Sequence, residues 1–144
     1  MSDFRQLSET IFASPQIGVE DLAVAKTLGV GLVINNRPEE EEPGQTPGSA
    51  IEAAARALGM DYVAIPVTMA TLSDADVRAM AQALQANSGK VLAYCRSGTR
   101  STLLWSLAQA ASGGDTAAIA AAAAAAGYDV SPIRDAMEAY AAQA

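Results

Sequence analysis

The sequence predicts an α/β protein in which helices cover a parallel sheet. Short apolar runs alternate with longer segments of helical spacing along the chain, which is typical of successive strand and helix units. Glycines follow several of the helical segments, where helices commonly end. The chain has 144 residues, of which 51% are hydrophobic. This is enough for one domain, residues 1–144, with a substantial core.

The first half of the chain contains three predicted strands and two predicted helices. Val30–Asn35 is a continuous apolar run, as expected for a central strand buried on both faces. Residues 36–48 combine four consecutive glutamates with prolines and glycines, and are predicted to form a loop. The other elements are a short strand at 12–16, a helix at 19–28, a helix that Ser49 caps and that ends at Gly59, and a strand at 62–67.

The second half delivers one more strand between helices. Ser73 is the predicted cap of a helix that runs to Asn87. Lys90–Tyr94 is a short buried strand, and a packed helix continues through residues 102–108. Two further helices follow without a strand between them. The alanine-rich tract at 117–126 is expected to be helical, because alanine is the best helix former, and it is too short to span a membrane.

Composition excludes several classes of function. The net charge of −7 opposes general nucleic-acid binding and leaves a small anionic substrate as the expected partner. The chain has no histidine, which excludes Ser-His-Asp and Cys-His catalysis and a Cys/His zinc site. No metal or organic cofactor is indicated. The first residues lack a basic segment followed by an apolar one, so we expect a cytoplasmic protein without a membrane partner. The oligomeric state stays open.

Residues 94–101, YCRSGTRS, place the only cysteine between a predicted strand and a predicted helix. Such a turn aims backbone N–H groups and the positive end of the helix at one point beside Cys95. Gly98 permits unusual dihedral angles, and Arg96 and Arg100 add positive charge, so the nucleophilic thiolate is favoured. A lone cysteine is often only a small buried hydrophobic residue. The polar residues that follow it favour a catalytic Cys95.

Five motifs together resemble a known family. They are SPQ at 14–16, INNRP at 34–38, PGQ at 43–45, IPV at 65–67 and CRSGTRS at 95–101. This combination resembles the phosphatase-like domain of bacterial beta-lactamase hydrolase-like proteins. The resemblance implies the fold of the tyrosine and dual-specificity phosphatases: three layers around a central, mainly parallel sheet of four or five strands.

The resemblance also implies roles for individual residues. Cys95 would be the nucleophile, Arg100 the oxyanion clamp and Ser101 a hydroxyl near the sulfur. Arg37, after a neighbouring parallel strand, would face the same crevice. The side chain of Arg96 is expected to point outward and select the substrate. The residues expected to bind the substrate or anion are Arg96, Ser97, Gly98, Thr99 and Arg37.

The sequence departs from the phosphatase pattern at two points. Four residues separate Cys95 from Arg100, where phosphatases of this superfamily have five. The shorter spacing is similar to that of rhodanese-type sulfurtransferases and suits the terminal sulfur of a persulfide. In addition, Tyr94 replaces the usual histidine, and the loop after Pro66 lacks the expected acid. Without a general acid, a contribution of ~10²–10⁴-fold to the rate would be lost.

Candidates for the missing acid lie elsewhere in the chain. Asp74, at the start of a predicted helix, is one candidate, although the helix dipole alone favours a carboxylate there. Glu40 and Glu41 are equal alternatives, although a run of glutamates is commonly a solvated charge cluster. The choice between these carboxylates stays open.

Three functions are consistent with these residues. The leading hypothesis is a phosphatase-like hydrolase that cleaves phosphomonoesters through a covalent Cys95 intermediate. The close alternative is a rhodanese-like sulfurtransferase that carries a Cys95 persulfide and uses a persulfide or thiosulfate. The third is a non-catalytic module that binds an anion or senses oxidants through an exposed thiolate.

Overall fold

The computed structural model describes residues 2–144 and places five strands between two layers of helices. The strands are β1 (Arg5–Ser8), β2 (Ile11–Ser14), β3 (Val30–Asn35), β4 (Asp61–Ala64) and β5 (Lys90–Tyr94). The helices are α1 (Asp21–Thr27), α2 (Gly48–Ala57), α3 (Asp74–Ala86), α4 (Thr99–Ala111), α5 (Thr116–Ala125) and α6 (Arg134–Gln143), with a 3-10 turn at Ser131–Ile133. The expected α/β architecture is confirmed.

The sheet has the strand order β1-β2-β5-β3-β4. Strands β2, β5, β3 and β4 are parallel, and β1 is antiparallel to β2. Tyr94 at the end of β5 is level with Ser14 of β2 and with Asn35 of β3. The segments that follow these three strands therefore leave the sheet at one edge, where parallel sheets commonly carry their functional sites.

The strands separate two hydrophobic cores because successive side chains point to opposite faces. Val33 of β3 and Leu92 of β5 pack on the face covered by α1 and α2. Ile34 and Ala93, one position later, pack on the face covered by α3 to α6. Helix α4 is buried at eight consecutive positions, from Ser101 to Ala108. It is the central helix of its layer and fixes the position of the segment that precedes it.

Several local predictions are confirmed by the structure. Ser73 caps α3: its hydroxyl accepts the Asp76 N–H, and the Asp76 carboxylate accepts the Ser73 N–H in return. Strand β3 has the predicted bounds, as does β5. The alanine tract forms α5, which Asp115 caps by accepting the N–H of Ala118 at 2.8 Å. Between residues 2 and 144, no helix combines the length and apolarity that a membrane crossing requires.

Other predictions are wrong at specific residues. Strand β1 was not expected, since it is largely polar and only Leu7 is buried within it. Ser49 does not cap α2, because Pro47 occupies the cap position and the helix begins at Gly48. The N–H of Gly48 is instead bound at 2.9 Å by the carboxylate of Glu39. A side chain distant in sequence thus takes the role of the local cap.

Strand β4 is also shorter than predicted, since it ends at Ala64. The chain nevertheless stays beside β3: the N–H groups of Ile65 and Val67 donate to the carbonyls of Asn35 and Asn36 at 2.9 and 3.0 Å. This irregular extension carries the Val67 carbonyl to the same edge of the sheet as Cys95.

Candidate active site

Cys95 lies at the base of a tight loop between β5 and α4, formed by residues 95–101 and called here the anion loop. Its side chain is fully buried, and its Sγ accepts the backbone N–H of Gly98 at 3.1 Å. Gly98 has φ +92°, a left-handed conformation that favours glycine. Helix α4 begins at the next residue and runs for 13 residues. The sulfur therefore lies beside the positive end of a long buried helix.

Three hydrogen bonds hold the backbone of the anion loop. The hydroxyl of Tyr128 donates to the carbonyl of Ser97 at 3.1 Å, and the hydroxyl of Thr102 donates to the carbonyl of Gly98 at 2.8 Å. On the other side, the N–H of Gln16 donates to the carbonyl of Arg96 at 3.2 Å. These bonds fix the backbone of the loop, in which the N–H of Gly98 points to the sulfur and that of Thr99 donates to the hydroxyl of Ser97 at 3.3 Å.

Arg100 lies over the anion loop and is held by a carboxylate. Its two terminal nitrogens donate to the two oxygens of Glu41 at 2.8 Å each, and one of them also donates to the carbonyl of Val67 at 2.9 Å. The hydrogen bonds that Arg100 donates to Glu41 raise the pKa of Arg100 although burial opposes this, and the nearby Cys95 sulfur adds to the rise. The guanidinium thus lies close to both Glu41 and Cys95.

Arg37 is the second arginine that forms an ion pair with Glu41. Its side chain is only 2% exposed, and it donates to Glu41 at 2.8 Å, to Glu42 at 2.9 Å and to Gln16 at 3.1 Å. A buried guanidinium is costly unless such partners compensate it. The hydrogen bonds of Arg100, followed by those of Arg37, lower the pKa of Glu41 to about 2, although burial opposes this. Glu41 is therefore an anion held between two cations.

The residues 36–47, called here the glutamate loop, fold so that only one of the four glutamates reaches Arg100. The side chain of Gln45 donates to the carbonyl of Pro38 and accepts the N–H of Glu41, both at 2.9 Å. Glu40, with φ +58°, is the only non-glycine residue of 2–144 with positive φ. This turn leaves Glu40 exposed, whereas the side chain of Glu41, 24% exposed, reaches Arg100.

The side chain of Ser101 is buried, whereas that of Arg96 is exposed. The buried hydroxyl of Ser101 donates to the side-chain oxygen of Asn36 at 2.8 Å, and the amide of Asn36 donates to the carbonyl of Ile65 at 3.0 Å. Ser101 thus ties α4 to the ends of β3 and β4. The side chain of Arg96 is 69% exposed and points outward, 3.9 Å from Glu42. Ser97 and Thr99 are linked by their hydroxyls at 3.0 Å at the outer surface of the loop.

Asp74 lies at the start of α3 with partners of its own. Its carboxylate accepts from Arg78 at 2.8 Å and from the hydroxyl of Tyr140 at 2.7 Å. The hydrogen bond from Tyr140, and then that from Arg78, lowers the pKa of Asp74. The structure therefore brings Cys95, Arg100 and Glu41 into one contact network, and it shows Asp74 bonded to α3 and α6 instead.

Three residues of this network were not predicted from the sequence, for two different reasons. Asn36 and Gln16 lie inside motifs that follow β3 and β2, so their place at the edge of the sheet could have indicated them. Tyr128 lies in the connection between α5 and α6 and carries no motif. Its contact with Ser97 depends on how the last helices pack.

Comparison with known proteins finds a matching family. The family model described as "Beta-lactamase hydrolase-like protein, phosphatase-like domain" matches residues 3–112. A beta-lactamase hydrolase-like protein of Agrobacterium fabrum is 37% identical over 108 residues, which is 75% of this chain and 25% of that protein. The chain thus spans about a quarter of the length of this curated relative.

Solved structures extend the likeness to nearly the whole chain. The crystal structure of a candidate phosphatase from Neisseria meningitidis has a TM-score of 0.84 and 31% identity, covering 97% of this chain and 99% of that chain. A cysteine-to-serine variant of TpbA from P. aeruginosa, in complex with pTyr, has a TM-score of 0.67 and 19% identity, covering 98% and 89%. The second likeness shows the fold alone.

Proposed function

Because this chain belongs to the family of phosphatase-like domains of beta-lactamase hydrolase-like proteins, we propose that it is a cysteine-dependent hydrolase of phosphomonoesters. The observation that carries the proposal is the Cys95 sulfur. It is buried at the base of the anion loop, accepts the N–H of Gly98 at 3.1 Å and precedes the positive end of α4. A hydrogen-bond donor at the sulfur and the positive end of a helix both favour a thiolate, and this supports the proposal.

In the proposed reaction, the loop amides of residues 97–101 and the side chain of Arg100 hold the non-bridging oxygens of the phosphoryl group. The thiolate of Cys95 attacks phosphorus, and the bond between phosphorus and the ester oxygen breaks with its electron pair on that oxygen. Water then attacks the cysteinyl-phosphate, the bond between phosphorus and sulfur breaks, and inorganic phosphate leaves. The amides and Arg100 stabilise the charge that develops in both steps.

The expected substrate is small and doubly charged. The chain itself carries a net charge of −7, so a polyanionic partner would be repelled away from the anion loop. The exposed Arg96 and the hydroxyls of Ser97 and Thr99 would meet the part of the substrate outside the loop. Because the TpbA variant is bound to pTyr, an aryl phosphate is the first substrate to test.

The test compares wild-type protein with Cys95→Ser in 4-nitrophenyl phosphate hydrolysis, together with the intact mass of the protein after a rapid acid quench. We expect turnover in the wild type alone and a mass increase of one phosphoryl group on Cys95. Equal rates for both proteins would refute the hydrolase.

A second function is favoured by one specific observation, the four-residue spacing between Cys95 and Arg100. In this short loop, the Cys95 sulfur accepts one backbone N–H, that of Gly98. A sulfurtransferase would use Cys95 to take the outer sulfur of thiosulfate, releasing sulfite, and would pass that sulfur to cyanide as thiocyanate.

Both activities can be measured on one preparation. Thiocyanate formation much faster than aryl phosphate hydrolysis, with a mass increase of one sulfur atom, would select the sulfurtransferase. If neither rate exceeds that of Cys95→Ser, the anion-binding or redox-sensing module remains.

A further inference from the structure

The carboxylate of Glu41 lies at the mouth of the site, above the sulfur. Exposure rises from Cys95, at 0%, through the side chain of Arg100, at 15%, to that of Glu41, at 24%. Arg100 binds Glu41 directly and lies near enough to Cys95 for the sulfur to raise its pKa. The three groups thus form a path from the buried nucleophile to solvent.

Phosphoryl transfer places the leaving oxygen at this mouth, where a proton donor would assist its departure. Attacking and leaving atoms lie roughly in line across phosphorus, so the ester oxygen faces away from Cys95, toward solvent. A phosphoryl group bound by Arg100 must displace the carboxylate of Glu41, which occupies the same two nitrogens at 2.8 Å. Gln45 holds the backbone N–H of Glu41 at 2.9 Å, so we expect the side chain alone to move and its carboxyl to stay near the ester oxygen.

We propose that Glu41 is the general acid of the phosphomonoester hydrolysis, in addition to holding Arg100 when no substrate is bound. This inference rests on the proposed function. Glu41 would supply the acid that the loop after Pro66 lacks. Glu41 donates its proton to the ester oxygen while the bond to phosphorus breaks, so that an alcohol leaves. In the second step its carboxylate accepts a proton from the attacking water, and the electron pair of the broken bond returns to sulfur.

The other carboxylates of the region have different partners. Glu39 binds the N–H of Gly48, and Glu42 binds Arg37. Glu40 is exposed at the positive-φ turn. Asp74 binds Arg78 and Tyr140. Among residues 2–144, the carboxylate bonded to Arg100 is that of Glu41.

Substrate binding can also lead Glu41 to take up from solvent the proton that it later donates. In the free protein a pKa of about 2 keeps Glu41 ionised, because Arg100 and Arg37 bind it. A phosphoryl dianion removes Arg100 from Glu41 and places like charge next to it, and both changes raise the pKa of the carboxyl. The charged groups that still face it are Arg37 and Glu42, with the Cys95 thiolate below the phosphoryl group and Arg96 beside Glu42.

The test uses Glu41→Gln with two readouts. The first is inhibition by inorganic phosphate, which should become at least tenfold tighter, because the internal competitor for Arg100 loses its charge. The second is turnover across aryl phosphates from 4-nitrophenyl to phenyl phosphate. We expect little loss on the nitrophenyl ester and a loss of ~10²-fold on the phenyl ester, whose oxygen needs protonation to leave.

Two variants control this experiment. Glu40→Gln makes the same charge change on the neighbouring residue and should leave the phosphate affinity and the leaving-group dependence close to wild type. Glu41→Asp keeps an acid and should retain a shallow leaving-group dependence. If Glu41→Gln binds phosphate tighter but turns over both esters equally or faster, Glu41 only competes for Arg100 and the inference is wrong. If the wild type hydrolyses no ester faster than Cys95→Ser, the proposed function itself fails.

Discussion

Glu41 and Arg100, 59 positions apart in the sequence, form a two-pronged ion pair in which each carboxylate oxygen accepts a guanidinium nitrogen at 2.8 Å. This is the geometry in which arginine binds a phosphate. In the proposed reaction Arg100 binds an oxyanion, so the carboxylate of Glu41 would compete for the same two nitrogens. The affinity measured for any oxyanion will therefore include the cost of breaking this pair.

The ion pair predicts a pH-dependent contribution to stability. The pKa of Glu41 falls from 4.5 to about 2 on folding. A lowered carboxyl pKa stabilises the fold above the unfolded value, and that contribution is lost as the pH falls through the folded value. Glu41→Gln should therefore lower the free energy of unfolding by roughly 1 kcal/mol at pH 7, after screening by solvent. The difference from wild type should shrink between about pH 4.5 and 2, as measured by urea unfolding.

Gly98→Ala should abolish activity and destabilise the protein. A Cβ at φ +92° is strained, and it would collide with the hydroxyl of Tyr128. Gly113→Ala is a matched control, since Gly113 has φ +93° but open space around it. The control should lose ~1–2 kcal/mol from backbone strain alone. Thermal and urea unfolding of both variants should show a larger loss for Gly98→Ala, and equal losses would mean that the contact with Tyr128 adjusts freely.

Tyr128→Phe should loosen the anion loop without disrupting the core. It removes the hydroxyl that donates to Ser97 at 3.1 Å and keeps the buried ring. We expect a loss of about 0.5–1.5 kcal/mol in stability and several-fold weaker phosphate binding with slower alkylation of Cys95. Thr116→Val removes a hydroxyl bond between α5 and α6 and serves as the control. Phosphate binding that falls equally in both variants would indicate a general effect of the last helices.

Ser101→Ala should act mainly through Asn36. The buried hydroxyl is committed to the Asn36 side chain at 2.8 Å, and leaving that oxygen unpaired costs ~1–3 kcal/mol. A double-mutant cycle with Asn36→Ala should show coupling of about 0.5–3 kcal/mol. The resemblance to phosphatases implies instead a hydroxyl near the sulfur. A selective slowing of cysteinyl-phosphate breakdown, with stability unchanged, would support that role over the structural one.

Local patterns in the sequence predicted much of the fold. The apolar runs of β3 and β5 and the Ser73 cap depend on adjacent residues, and all three are confirmed. The fold expected from the motifs, that of the tyrosine phosphatases, is also confirmed by the solved structures. Strand β1 was missed because its pairing with β2, and not its own hydrophobicity, holds it in the sheet.

The candidate site was predictable only in part, because some of its contacts join residues that are distant in the sequence. Cys95 and Arg100 stand in one short motif, so the sequence indicates both. The pair of Glu41 with Arg100 depends on the positive-φ turn at Glu40 and on the bracing by Gln45. Neither has a periodic pattern that would single out one glutamate among four. Only the folded loop distinguishes them.

Helices α5 and α6 lie beyond residue 112, where the family match ends. They bury Ile119, Ala123 and Met137 in the same core as α4, and the connection between them supplies Tyr128 to the anion loop. A fragment cut at the family boundary would expose the apolar flank of α4 and lose a support of the anion loop. Grafting this fold onto another protein therefore requires the full segment to residue 143, because the segment that the family model matches is shorter than the segment that packs into one core.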